Sequence, residues 1–255
     1  MFRIRNLYDN KNIETIDQKG PFRVIEYIRD LSVNPGTAIT SYFASEMNIR
    51  RRQVVCDLSQ GNVIMQAGAM QMMFGKDVGA TTGIKGVGDL MGKAFRGKVT
   101  GESAVKPEYT GNGIVILEPT YKHLLLLDVA EWSGGLVMED GMFLCCEASL
   151  RQSVVARSNF SSAVAGGEGF FNLALSGNGI AVLESPYPQK ELLEVTLEND
   201  VVKIDGNMAV CWSGSLDFTV EKAGKSFLGS MASGEGLVNV YRGTGKVLIA
   251  PVPGQ

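Results

Sequence analysis

Three stretches decide the fold: Gly101-Glu102-Ser103 running to Gly111-Asn112-Gly113, Gly167-Glu168-Gly169 running to Gly177-Asn178-Gly179, and Gly234-Glu235-Gly236 running to Gly243-Thr244-Gly245. The glutamates are 66 and 67 residues apart, and Gly111, Gly177 and Gly243 are 66 and 66 apart. Each G-x-G is followed by an apolar run that stops near a proline. These are Ile114–Leu117 before Pro119, Ile180–Leu183 before Pro186, and Val247–Ile249 before Pro251. A fixed period across several independent landmarks is the signature of an internal repeat.

Further landmarks keep the phase. Asp140-Gly141 and Asp205-Gly206 lie 65 apart, with Gly68 at the matching place; Cys145 and Cys211, and Leu150 and Leu216, lie 66 apart. Units therefore span 54–121, 122–187 and 188–252, after an N-terminal extension, 1–53. Asp-Gly between short apolar runs is a hairpin signal. Glycine at the tight turns supplies positive φ that other residues adopt only under strain. The expected unit is an antiparallel β-module of five or six strands, with a weak helical turn before each Gly-Glu, best developed at Asp89–Arg96. A module of this size is hard to stabilise alone, so mutual packing is expected. Closure about a pseudo-threefold axis would leave no long edge exposed, and an open row is the alternative. The fold class is all-β, three tandem β-modules with few short helices.

Gln66-Ala67-Gly68-Ala69-Met70, the glycine-rich stretch from Gly83 to Gly97, and the motif used three times together resemble the mitochondrial-biogenesis (altered inheritance of mitochondria) family, as a bacterial member. Domains of that family look like the tryptophan RNA-binding attenuator protein. The likeness covers about 54–252. It implies a double-stranded β-helix-like fold with three units in one chain forming a pseudo-trimer. Mitochondrial members are associated with inner-membrane organisation, and for bacterial members the resemblance implies no established chemistry. The sequence departs from the pattern at Ala104-Val105-Lys106-Pro107, where the proline marks an edge strand or bulge. It departs again in its long N-terminal extension, which is read as an added strand or a contact to a neighbouring subunit.

Composition narrows the function. The chain has 255 residues, 31 of them glycine, about 12% against a usual 7% or so, but only 8 prolines, which excludes collagen-like and Pro/Gly-disordered classes. With one histidine, His123, a His-rich zinc site is excluded, and the imidazole is read as the edge of a buried strand. The four cysteines, Cys56, Cys145, Cys146 and Cys211, form no C-x-x-C and are read as reduced core thiols in a cytoplasmic protein. No signal peptide and no run of about 18 apolar residues is present. A net charge of −3 disfavours wholesale nucleic-acid binding, and Arg50-Arg51-Arg52 is read as a solvated edge.

Gly92–Lys98 has phosphate-loop spacing, but Val99 stands where Ser or Thr would hold magnesium, so it is read as a basic connection. Glu102, Glu168 and Glu235 could line an axis and bind a cation, or each cap its own turn; the repeated glycines beside them favour the local role. Met65, Met70, Met72 and Met73 are read as core, although methionine surfaces also suit partners. Gly68 to Glu102 spans 34 residues, against 27 and 29 in the next units, so the first unit carries an insertion.

No catalytic, metal or cofactor residues are assigned. The repeat-signature residues Gly101, Glu102, Gly111, Gly113, Gly167, Glu168, Gly177, Gly179, Gly234, Glu235, Gly243 and Gly245 are read as structural. The expected function is a non-enzymatic scaffold acting through a protein partner or as a homo-oligomer. The alternative is a module binding a small ligand or RNA between repeats.

Overall fold

The computed structural model describes residues 2–82, 106–156, 171–222 and 237–252. Over them the chain is all-β, with one α-helix, α1 (Ala38–Glu46). After a hairpin of β1 (Ile13–Lys19) and β2 (Phe22–Tyr27) come β3 (Arg52–Asp57), β4 (Val63–Met65), β5 (Met70–Phe74), β6 (Gly79–Thr81), β7 (Glu108–Thr110) and β8 (Ile114–Leu117). A second set follows: β9 (His123–Asp128), β10 (Leu136–Met138), β11 (Phe143–Glu147), β12 (Arg151–Ala156), β13 (Phe171–Ser176) and β14 (Ile180–Ser185). The third set is β15 (Leu193–Asp205), β16 (Ala209–Ser213), β17 (Asp217–Lys222) and β18 (Leu237–Ile249), whose two long strands each span what are two strands elsewhere.

One antiparallel pairing scheme occurs in all three sets. In the first, β8 lies between β3 and β5, and β7 lies between β4 and β6. In the second, β14 lies between β9 and β11, and β13 between β10 and β12. In the third, the end of β18 lies between the start of β15 and β16, and the start of β18 lies between the end of β15 and β17. A β-bulge falls at the same place each time, between Met70 and Met72, Phe143 and Cys145, and Ala209 and Cys211. Each set thus consists of two three-stranded half-sheets.

Half-sheets from successive sets join edge to edge. Cys145, Cys146 and Glu147 of β11 pair with Met65, Ile64 and Val63 of β4. In the same register, Cys211, Trp212 and Ser213 of β16 pair with Met138, Val137 and Leu136 of β10. The first junction makes the six-stranded sheet β6-β7-β4-β11-β14-β9, and the second makes the sheet β12-β13-β10-β16-β18-β15, with β17 beside β18. A third junction, β5 against residues 200–205 of β15, would close the three sets on themselves. It is not formed: β5 ends the five-stranded sheet β1-β2-β3-β8-β5, and β15 ends its own. Among the described residues no strand pairing closes the sets about a threefold axis, and their pairings form an open row.

The row is held by three cores between layers. Phe22, Val54, Val115 and Leu117 of the five-stranded sheet pack on Leu124, Leu126, Cys145 and Val182 of the next. Leu125, Leu127, Cys146 and Leu183, on the opposite face of that sheet, pack on Leu136, Met138, Cys211 and Leu248. The third core gathers Val137, Trp212, Tyr241 and Val247. Because the middle sheet is covered on both faces, Leu124-Leu125-Leu126-Leu127 reads as an unbroken apolar run. For the same reason Cys145 and Cys146, on opposite faces, are both fully buried.

The first glycine of each G-x-G has a left-handed backbone, with φ of +113° at Gly111, +113° at Gly177 and +120° at Gly243. At Gly111 space is lacking too, since a Cβ would lie 2.1 Å from the Asp77 carbonyl oxygen. Gly141 has φ +75° but nothing near its Cβ position. Replacing Gly111 with Ala is expected to cost about 3 kcal/mol or more, whereas Gly141→Ala costs about 1 kcal/mol; urea unfolding of the two variants measures the difference.

Candidate functional site

Three features stand out: an anchored N-terminal region, a cleft at the first junction, and two strand edges left unpaired among the described residues. The sequence reading of Arg50-Arg51-Arg52 as a solvated edge is corrected in each of its residues. Arg52 is 2% exposed and bonds Glu26 at 2.7 Å, while its other donors go to the carbonyls of Asn48 and Tyr121 and to Asn48 Oδ1. Arg50 reaches the second Glu26 oxygen at 3.1 Å and the carbonyl of Ser45. Arg51 pairs with Asp30 at 2.9 Å and donates to the Tyr121 hydroxyl. Strand alternation at the start of β3 turns Arg52 inward, where burying it is tolerable only with its donors satisfied.

This network fixes α1, which sequence reasoning missed. The helix has no side-chain N-cap, no buried residue, and small residues Ala38, Ser41, Ala44 and Ser45 on its inner side. Its outer side shows Ile39, Tyr42 and Phe43, all more than 60% exposed. Such a helix gains little from packing, so its position depends on the arginines. Ile39, Tyr42 and Phe43 stand at i, i+3 and i+4, a short helical signal that the sequence reading passed over, and here that apolar face points outward instead of into a core.

The cleft, of about 370 Å³, lies between Gln66–Ala69, Glu118–Thr120, Phe143 and Glu184. Gln66 Oε1 is buried and accepts no hydrogen bond among the described residues. Thr120 donates to Glu184, which also faces Lys122 at 3.7 Å. The lining offers acceptors, so it suits a ligand bearing N–H or ammonium donors.

The edges answer the methionine question. Met65 is core, as expected, but Met72 is 40% and Met73 48% exposed, because the bulge breaks alternation and no strand among the described residues covers the free edge of β5. Their counterparts in the formed junctions, Cys145 and Cys146, and Cys211 and Trp212, are at most 2% exposed. On the opposite edge Val201 is 43% exposed.

Gly101, Glu102, Gly167, Glu168, Gly234 and Glu235 lie outside the described residues, as do Asp89–Arg96 and the phosphate-loop-like stretch. Gly111 with Gly113 and Gly177 with Gly179 shape the turns into β8 and β14, Gly243 and Gly245 lie within β18, and none of them lines the cleft. The four cysteines are free and buried; burial pushes the Cys146 thiol up to about 12 and raises those of Cys145 and Cys211 as well, which disqualifies these three as nucleophiles at neutral pH. Among the described residues no group of three His, Cys, Asp or Glu could hold a metal ion. No helix there is long and apolar enough to cross a membrane.

His123, half-buried at the start of β9, is held below the usual imidazole range by burial and then by nearby Arg52, against the opposing pull of Glu26. The native state therefore favours neutral imidazole, and as pH falls through the unfolded value of about 6.5 the unfolded chain binds the proton more readily. Stability should drop between about pH 7 and 5, and His123→Gln should flatten that part of the melting-temperature profile. Glu26→Ala, which strands buried Arg52, should cost about 3–5 kcal/mol in chemical denaturation.

Residues 46–252 match the family model described as mitochondrial biogenesis AIM24. A protein of Streptococcus pyogenes serotype M6, described as uncharacterised, is 29% identical over 216 residues, 81% of this chain and 84% of the relative. The crystal structure of a Streptococcus pyogenes protein superposes with a TM-score of 0.58 at 27% identity, covering 81% of this chain and 90% of that one. The match begins inside α1 and takes in all three sets of strands. The chain belongs to the AIM24 mitochondrial-biogenesis family.

Proposed function

We propose that this protein is a non-enzymatic structural scaffold that assembles head to tail through its two unpaired edges. The observation behind this reading is the junction made twice within the chain. Its edge strands, β11 with β4 and β16 with β10, are the positional equivalents of β5 and residues 200–205 of β15. A second copy placing its β15 edge on β5 would repeat the same register, Met72 opposite Ile204, Met73 opposite Lys203 and Phe74 opposite Val202. It would join the half-sheet β3-β8-β5 to the half-sheet of β15, β18 and β17 in the arrangement of the internal junctions, with the β1–β2 hairpin beyond β3. β5 carries no charge and no proline over its five residues, so nothing on it resists pairing. Such a contact is heterologous, and it yields a ring if the rotation closes or a filament if it does not.

The second reading, a module binding a small ligand between repeats, is favoured by the acceptor-lined cleft and Gln66 Oε1. Native mass spectrometry separates the two. A scaffold should give multiples of the bare chain mass, whereas a small molecule retained one per chain would support the binding module. Salt-sensitive binding of RNA would overturn both the scaffold reading and the low expectation for nucleic acid.

The geometry is tested by the double variant Met73→Cys, Lys203→Cys in the full chain, oxidised with diamide at high protein concentration. The facing side chains of an antiparallel pair are close enough to bridge, and Lys203 gives up only an exposed ion pair with Glu221 at 3.7 Å. A ladder of disulfide-linked multimers on a non-reducing gel is expected. A product linked only within single chains, or none, would overturn head-to-tail assembly.

A further inference from the structure

We infer that the N-terminal segment, residues 2–12, is a built-in cap that competes with the next copy for the outer face of the first half-sheet. The inference rests on the assembly reading above and names its regulation.

Each half-sheet that begins a set carries a row of side chains on its outer face, and that row belongs to the core of the set before it. In the second set the row is Leu126, Val182 and Cys145, which pair across the strands and are fully buried in the first core. In the third set it is Leu248 and Cys211, buried in the second core. The equivalent row in the first set is Val55, Ile116 and Met72, related by the same pairings. The described residues before β3 form a hairpin and α1, not a further set that could cover it.

The N-terminal segment takes that place. Leu7 is buried against Ile25, Val55 and Ile116, with Ile4 packed beside it. Phe2 reaches the edge strand itself, its ring 5.8 Å from that of Phe74. Arg23 lies over the Tyr8 ring at 4.3 Å and holds the next part of the segment to the sheet. Ile4 is half-buried on the sheet, Phe2 is 42% exposed beside Phe74, and Arg3 and Arg5 are exposed. Val55 and Ile116 are thereby left 2% and 3% exposed, whereas Met72, beyond the reach of Leu7, stays 40% exposed.

A copy arriving along β5 would complete the junction only by burying this whole row in its own third core, as both internal junctions do. The segment and the arriving copy therefore cannot both occupy the face over Val55 and Ile116. Repeat proteins close their ends with atypical capping elements for the same reason, since a bare terminal face is unstable in water. This cap is held by a few apolar contacts on one short stretch. It lies wholly outside the part of the chain that the family model matches, 46–252. The cap therefore acts from outside the matched body.

The competition lowers the apparent affinity between copies by the fraction of chains whose face is uncovered. The test compares the full chain with a chain lacking residues 2–11 and with the full-length variant Leu7→Asp, each by sedimentation velocity over a range of concentrations. The truncated chain and Leu7→Asp are expected to associate at least about tenfold more tightly than the full chain, with the gain abolished by Met73→Lys opposite Lys203. Equal association of all three overturns the cap and leaves head-to-tail assembly standing. Monomers at every concentration for all three overturn both. Circular dichroism that matches the full chain shows that a weakly associating variant is folded, so its failure to associate counts against the cap.

Discussion

The molecule depends on backbone hydrogen bonding between the second strand of one set and the third strand of the next. Without the joints of β4 with β11 and β10 with β16, each set would be two small half-sheets with exposed edges and a core open on one side. With them, every internal sheet is six strands wide and its two faces serve successive cores. Main-chain bonds at the joints recur atom for atom: Gln66 N–H donates to the Leu144 carbonyl at 2.8 Å, and Glu139 N–H to that of Val210 at 3.1 Å. The joint sets the stacking, the stacking buries both faces of the central sheet, and the open ends follow because the row has a first and a last member.

Much of this was legible in the sequence, because turn chemistry and apolar runs are local. Gly111, Gly177 and Gly243 announce themselves by a backbone conformation that glycine alone adopts without strain, and the runs after them are the central strands β8, β14 and the end of β18. What was not legible was which edges meet. A closed ring and an open row have the same strands, turns and apolar pattern, and differ only in whether β5 finds a partner. Met72 and Met73 look like core residues for the same reason, since their composition matches a buried strand and only topology leaves them in water.

The N-terminal region was opaque for a different reason. Arg50-Arg51-Arg52 looks like a solvated run because nothing nearby in sequence reveals Glu26, whose carboxylate lies 26 residues away across the β2–β3 pair. Once Arg52 is buried, it recruits the carbonyls of Asn48 and Tyr121 and thereby ties the helix, the hairpin and the entry to β9 together. Buried charge of this kind contributes less to net stability than to uniqueness, because few other arrangements satisfy every donor. The exposed outer side of α1 is a consequence of being held by polar anchors.

The repeated joint also bears on how such a protein can change over generations. Opposite Met65 stands Cys145, and opposite Met138 stands Cys211; their neighbours are Cys146 and Trp212, then Glu147 and Ser213. A thiol is thus replaced by an indole and a carboxylate by a hydroxyl at equivalent places, with the register unchanged. Since the main chain carries the joint, side chains there are free to drift, and one ancestral module can be copied, diverge and still dock on its siblings. That tolerance is how three stretches sharing little beyond glycine and a glutamate stay interlocked, and how relatives near 27–29% identity keep a common architecture.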